Sequence, residues 1–217
     1  MTTPFDPDRL ARETLRLLGP EPENWVPALP GIDHDVAIVG GGQNGVAFGF
    51  WLRRAGIGRV AVIDAAPDAS QAGNWRTRAR MLKLRTLKSL VGPELGLPAL
   101  GFQAWYEARH GAEAYAALDR IPTPAWADYL DWFRTFLDVP VRYGTRLLRV
   151  EPVPPAGGLP AHFRLHLNIG GQPRVETARK LILANGVAGN GAPFVPPALA
   201  PALAAGLAAH TVGQDQL

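Results

Sequence analysis

Three glycines carry the first chemical signal. Gly40, Gly42 and Gly45 stand in a G-x-G-x-x-G spacing within the run Gly40-Gly-Gly-Gln-Asn-Gly45. In such a loop the first glycine permits a tight turn out of a strand. The second clears a side chain so that a pyrophosphate can reach the backbone, and the third lets helix and strand pack closely. A helix that begins there aims its free N–H groups and positive dipole end at phosphate oxygens. Asp64 follows Gly45 by 19 positions, where an acid that hydrogen-bonds a ribose hydroxyl is expected. Together these residues point to a bound dinucleotide.

Competing chemistries lack their residues. The chain has no cysteine, which removes disulfides, Cys-ligated metals, iron–sulfur clusters and thiol nucleophiles together. Serine occurs only at Ser70 and Ser89, neither in a nucleophile elbow. The five histidines are scattered. His162 and His166 are four apart in a strand-like run, which holds them too far apart to share a metal. No metal site and no catalytic residue is assigned.

The elements that must position the loop follow from its flanks. Asp35-Val-Ala-Ile-Val39 is an apolar run suited to a buried parallel strand. Val46 to Ala55 reads as a helix and Arg59 to Asp64 as a second strand, which completes a βαβ unit. Upstream, Asp6-Pro7 opens a short helix with Leu10, Thr14, Leu15 and Leu18 on its apolar face, and Gly19 ends it. A Pro-rich connector follows, with Trp25 as its anchor. Helices are expected at Phe102 to His110, Ala112 to Leu118 and from Thr123, and β-rich runs at Val141 to Val150, His162 to Ile169 and Arg174 to Leu183. The last run ends in Leu-Ile-Leu-Ala-Asn-Gly186.

The loop DVAIVGGGQNG, the segment Ala72-Gly-Asn-Trp75 and the turn Ala184-Asn185-Gly186 resemble the flavin-containing and Baeyer–Villiger (class B) flavoprotein monooxygenases. That family carries a Gly-rich FAD loop, a G-G-x-W segment and an A-T-G turn in this order. The resemblance implies an α/β fold: a Rossmann-like FAD-binding domain with a parallel sheet, flanking helices and an inserted β-meander. It implies backbone contacts from Gln43 and Asn44 to the pyrophosphate, Trp75 beside the flavin, and Arg85 and Thr86 near its ring. It also implies Leu147 at the adenine edge and Ala184, Asn185 and Gly186 against the cofactor. Departures are Asp64 in place of the family's Glu, Asn185 in place of Thr, and Ala72 as the first letter of G-G-x-W. Asp64 also suits NAD, so an NAD-binding dehydrogenase domain stays open. Gly206-Leu-Ala-Ala-His210 repeats part of the family's histidine signature, without the flanking aromatics.

The resemblance further implies FAD as cofactor, NADPH as co-substrate, and a small-molecule substrate with O2. Residues 1–33 are expected to form an N-terminal extension, and 34–217 an FAD-binding domain that stops before the NADPH-binding domain. A cofactor-binding module without turnover is therefore the alternative. Arg76, Arg78, Arg80, Lys83, Arg85 and Lys88 follow one another with no acid between Asp68 and Glu94. They form a solvated loop, a wall of the cofactor cleft, or a nucleic-acid surface; the last lacks the interleaved aromatics that single strands need. A net charge of only +3 likewise gives no reason to expect a nucleic-acid partner. No apolar stretch is long enough for a membrane span and no leader is evident, so a soluble cytoplasmic protein is expected. Oligomeric state and substrate are not legible.

Overall fold

The structure, a computed structural model, describes residues 6–189, 191 and 194–209. It divides into two units, Met1–Ala184 and Asn185–Leu217. In the first, helix α1 spans Pro7–Leu18, strand β1 His34–Val39, helix α2 Gln43–Arg54 and strand β2 Val60–Ile63. Helices α3 (Phe102–His110), α4 (Ala112–Ala116) and α5 (Thr123–Leu137) follow. Strands β3 (Val141–Arg142), β4 (Thr145–Val153), β5 (His162–Ile169) and β6 (Gln172–Leu183) close the unit. In the second unit, α6 covers Gly186–Gly189 and α7 Ala200–Ala204. Among the described residues no helix is long and apolar enough to cross a membrane.

One six-stranded sheet runs β3-β2-β1-β6-β5-β4. The β1 strand lies between β2 and β6 and is parallel to both, with Val39 level with Ile63 and Leu183. Strand β3 extends the parallel part, whereas β4, β5 and β6 pair antiparallel as the meander. Alternation along β1 sends side chains to two cores. Val36 and Ile38 face the larger one, where Val46 and Phe50 of α2, Phe102 and Trp105 of α3, and Trp126, Tyr129 and Phe133 of α5 pack. Ala37 points to the other face, with Ile63, against Leu165, Leu167 and Ala178 of the meander. The meander thus covers the face of the parallel strands that the helices leave open.

A carboxylate ties this cover down. Glu176 of β6 accepts from Arg142 of β3 through both oxygens, at 2.7 and 2.8 Å, and pairs with His34 of β1 at 2.7 Å. Its pKa is lowered: burial pushes the carboxyl up, and the bonds from Arg142 and His34 outweigh that.

Two sequence expectations change. Val141 to Val150 is two strands: the chain breaks at Tyr143 and Gly144, where Gly144 takes a φ of 62° that favours glycine and donates to the Ala66 carbonyl. The third β-rich run both closes the meander and pairs parallel with β1. On α1 the buried residue is Ala11, with Leu10 and Leu18 exposed; a small side chain lets the helix sit close to its neighbours. Asp6 caps α1 by accepting from the Asp8 amide at 2.9 Å, as its sequence position implies. The connector behind α1 is held as well. Trp25 donates its indole N–H to the Ala55 carbonyl at 2.7 Å, and Arg54 donates to that of Gly19 at 2.8 Å.

Candidate functional site

The glycine loop joins β1 to α2. Gly40 has a φ of 110° and donates to the Ile63 carbonyl at 2.8 Å, which turns the chain sharply at the end of the strand. A Cβ on Gly45 would lie 1.7 Å from the Gly40 carbonyl oxygen, so helix and loop pack with no room for a side chain. Gly41 is equally constrained: a Cβ there would meet Val141 at 2.6 Å and Asp64 at 3.2 Å. Sequence reasoning passed over Gly41, although the unbroken triplet Gly40-Gly41-Gly42 was the available signal.

Asp64, just past β2, fastens the loop. Its Oδ2 accepts from the Gly41 amide at 2.6 Å and its Oδ1 from the Ala66 amide at 2.7 Å. Each oxygen keeps a second lone pair for a further donor. At the start of α2, the amides of Gln43, Asn44 and Gly45 have no acceptor among the described residues, and the first turn holds no acid. Three free donors, a helix dipole and the absence of side chains at Gly41 and Gly42 are what an anionic pyrophosphate requires.

Gly73, of the Ala72-Trp75 segment, comes to rest on Gly42. A Cβ built on Gly42 would meet the Gly73 Cα at 3.5 Å. Trp75 donates its indole N–H to Gln43 Oε1 at 2.9 Å. A small cavity lies between this segment, the glycine loop and α5, lined by Gly42, Ala72, Trp75, Ala127 and Arg134 among others.

The backbone beside Asp64 is the stretch from Arg142 to Thr145. Asp64 donates to the Arg142 carbonyl at 3.1 Å and accepts from the Thr145 amide at 2.8 Å. Within this stretch the Tyr143 hydroxyl is buried without a partner among the described residues. Burial pushes its phenol pKa up; Arg134 opposes this, and Asp64, Asp131 and Asp68 add to it. Nothing in the spacing singled out Tyr143. Leu147 lies farther along, opposite Leu167 in the meander, and packs into the second core.

The basic segment separates into two groups. Arg76 pairs with Asp128 and Asp131 of α5, Lys83 with Asp119, and Lys88 with the Tyr115 and Ala116 carbonyls. Arg78, Arg80, Arg85 and Thr86 are exposed. None of the three arginines has an ion-pair partner among the described residues. Ala184 donates to the Val39 carbonyl at 2.8 Å, which places the end of β6 beside the start of the glycine loop. In the second unit, Asn185 donates its side-chain amide to the Gly189 carbonyl at 2.7 Å and Gly186 takes a φ of 66°. His210 lies outside the described residues.

Residues 33–100 match the family described as FAD binding domain. The chain is 45% identical over 180 residues to the FAD-dependent urate hydroxylase of Xanthomonas campestris pv. campestris, covering 83% of this chain and 36% of that protein. It is 26% identical over 169 residues to the L-ornithine N(5)-monooxygenase of Pseudomonas aeruginosa, covering 75% of this chain and 37% of that one. The chain thus spans little more than a third of these curated relatives. Among solved structures, the ornithine hydroxylase of Pseudomonas aeruginosa superposes with a TM-score of 0.60 at 23% identity, over 80% of this chain and 43% of that one. The glycine loop and its acid thus lie within an FAD-binding domain, matched over residues 33–100, and the chain is similar over most of its length to an FAD-dependent urate hydroxylase and an L-ornithine N(5)-monooxygenase.

Proposed function

We propose that this chain serves as the FAD-binding part of an NADPH-linked monooxygenase that hydroxylates a small molecule with O2. The observation that carries the reading is the glycine loop: it excludes any side chain at Gly45 and leaves three amides free at the start of α2. The 45% identity to a urate hydroxylase supports the reaction class. The proposed domain covers residues 34–217, with 1–33 as an extension along it.

Bound there, FAD supplies the electron transfer between NADPH and O2. The protein's part is to hold and orient. The amides of Gln43, Asn44 and Gly45 take the pyrophosphate oxygens, and Asp64 offers a lone pair to a ribose hydroxyl while it fixes Gly41. Gly40 and Gly42 bring the backbone close. Leu147 is assigned to the adenine side. Trp75, Arg85 and Thr86 are assigned to the flavin end, and Ala184, at the end of β6, to the cofactor's backbone. With the urate hydroxylase as guide, urate is the first substrate to try.

The test is direct. The purified chain is reconstituted with FAD and its flavin absorbance measured; NADPH oxidation and O2 uptake are then followed with and without urate. Protein that stays colourless under several reconstitution conditions sinks the proposal. Yellow protein that oxidises no NADPH selects the second reading, a cofactor-binding module without turnover.

A further inference from the structure

Gln43, Trp75 and Trp126 are far apart in sequence, yet one oxygen joins them. Gln43 Oε1 accepts the indole N–H of Trp75 at 2.9 Å and that of Trp126 at 3.3 Å. The two indoles meet edge to face with centroids 6.2 Å apart. Gln43 opens α2, Trp126 belongs to α5, and Trp75 sits in the irregular segment 72–76, so a single carboxamide ties that segment to both helices. A carboxamide oxygen has two lone pairs, and here both are used.

The same segment covers the glycine loop. Gly73 takes a φ of 78° and lies against Gly42, the residue whose bare backbone a pyrophosphate must reach. Beyond Trp75, Arg76 reaches Asp128 and Asp131 on α5. These two ion pairs are exposed, however, and pairs of that kind hold weakly. The indole bonds are partly buried, and an indole N–H left there without an acceptor is costly.

The geometry points to Gln43 as a positioning residue: its side chain latches segment 72–76 over the Gly42 backbone, and this latch sets how fast bound FAD is released. The inference rests on the FAD site proposed above. It assigns the side chain of Gln43 a task separate from that of its backbone amide, and it makes Trp75 the anchor of a strap.

The test uses the full chain with Q43L, W75F and the double variant. Leucine keeps the size and the backbone amide and removes the acceptor. Two rates are measured: FAD release after dilution, and trypsin cleavage after Arg76, Arg78 and Arg80 in FAD-free protein. Q43L is expected to raise both about tenfold and W75F about fivefold, from the typical worth of one or two such bonds. The double variant should release FAD no faster than Q43L, because both changes break the same contact. Should Q43L fold poorly, W75F alone decides by the same two rates. Wild-type protein that takes up no FAD overturns the cofactor reading, and the cleavage rates then judge the latch on their own. If wild type binds FAD, unchanged release and cleavage in Q43L, or additive effects in the double variant, overturn the latch.

Discussion

Gly42 and Gly45 serve the loop in physically different ways, and alanine separates them. At Gly45 a Cβ would fall 1.7 Å from a carbonyl oxygen of the same loop, so the backbone must move. G45A is expected to lose FAD and to unfold more easily, by about 2–4 kcal/mol, the upper range for overpacking against backbone. At Gly42 the added methyl meets only the Gly73 Cα at 3.5 Å, and the φ of −73° suits any residue. G42A should keep its thermal midpoint within about 2 °C, as a tolerated single substitution does. Its FAD affinity should fall tenfold or more, because the methyl occupies the side the pyrophosphate approaches. Calorimetric midpoints and FAD titrations on both variants check this pair. Asp64 makes a third case. D64A strands the Gly41 and Ala66 amides and should cost about 1–3 kcal/mol, read from denaturant midpoints, with weaker FAD binding besides.

Between elements, the meander is held to the parallel strands by a small core of Ala37, Ile63, Leu165, Leu167 and Ala178 and by Glu176. Its carboxyl is held below the ordinary range by Arg142 and His34 against the opposing effect of burial. A depressed folded value means that the unfolded chain takes up the proton first as pH falls. The stabilisation is thus complete above the unfolded value of about 4.3 and fades as pH drops below it through the folded value. E176Q should cost about 2 kcal/mol at pH 7 and lower the midpoint by about 4–8 °C. The gap from wild type should shrink below about pH 4. Thermal unfolding of both proteins from pH 7 to pH 3 tests the sign, and a gap that is constant with pH would remove Glu176 from this role. The βαβ unit was legible at this scale because its strands are apolar runs and its turn is all glycine. The fold-back of the meander was not, since a strand's sequence does not say which sheet face its neighbours will cross.

For the whole molecule, FAD should act as a stabiliser in proportion to its occupancy. At a free concentration one hundred times Kd, about 2.7 kcal/mol is added to the folded state, a rise of about 5–10 °C in midpoint for a chain of this size. NAD at the same concentration should give no comparable rise. Differential scanning calorimetry with each nucleotide compares them, and an equal response to both would reopen the dehydrogenase reading that Asp64 permits. The relatives are nearly three times as long as the stretch this chain matches, so NADPH oxidation and substrate turnover are to be measured separately from FAD binding.

The residues alone pointed to the glycine loop and its acid, because what such a loop requires is local. A tight turn, a bare backbone and a helix start are all written within Gly40 to Gly45, and Asp64 lies one short helix and strand away. The parallel strands and the helix from Thr123 were legible for the same reason: hydrophobic period is a property of neighbours in the chain. Tertiary structure alone decided what Gln43, Trp75 and Trp126 do together, that the chain breaks at Tyr143 and Gly144, and that Leu147 packs into the meander core. It also showed that Arg76 and Lys88 are spent on α5 and α4 and Lys83 on Asp119, while Arg78, Arg80 and Arg85 stay exposed. Each of these depends on which distant segments meet, and side-chain partners across 30 to 80 residues leave no trace in spacing.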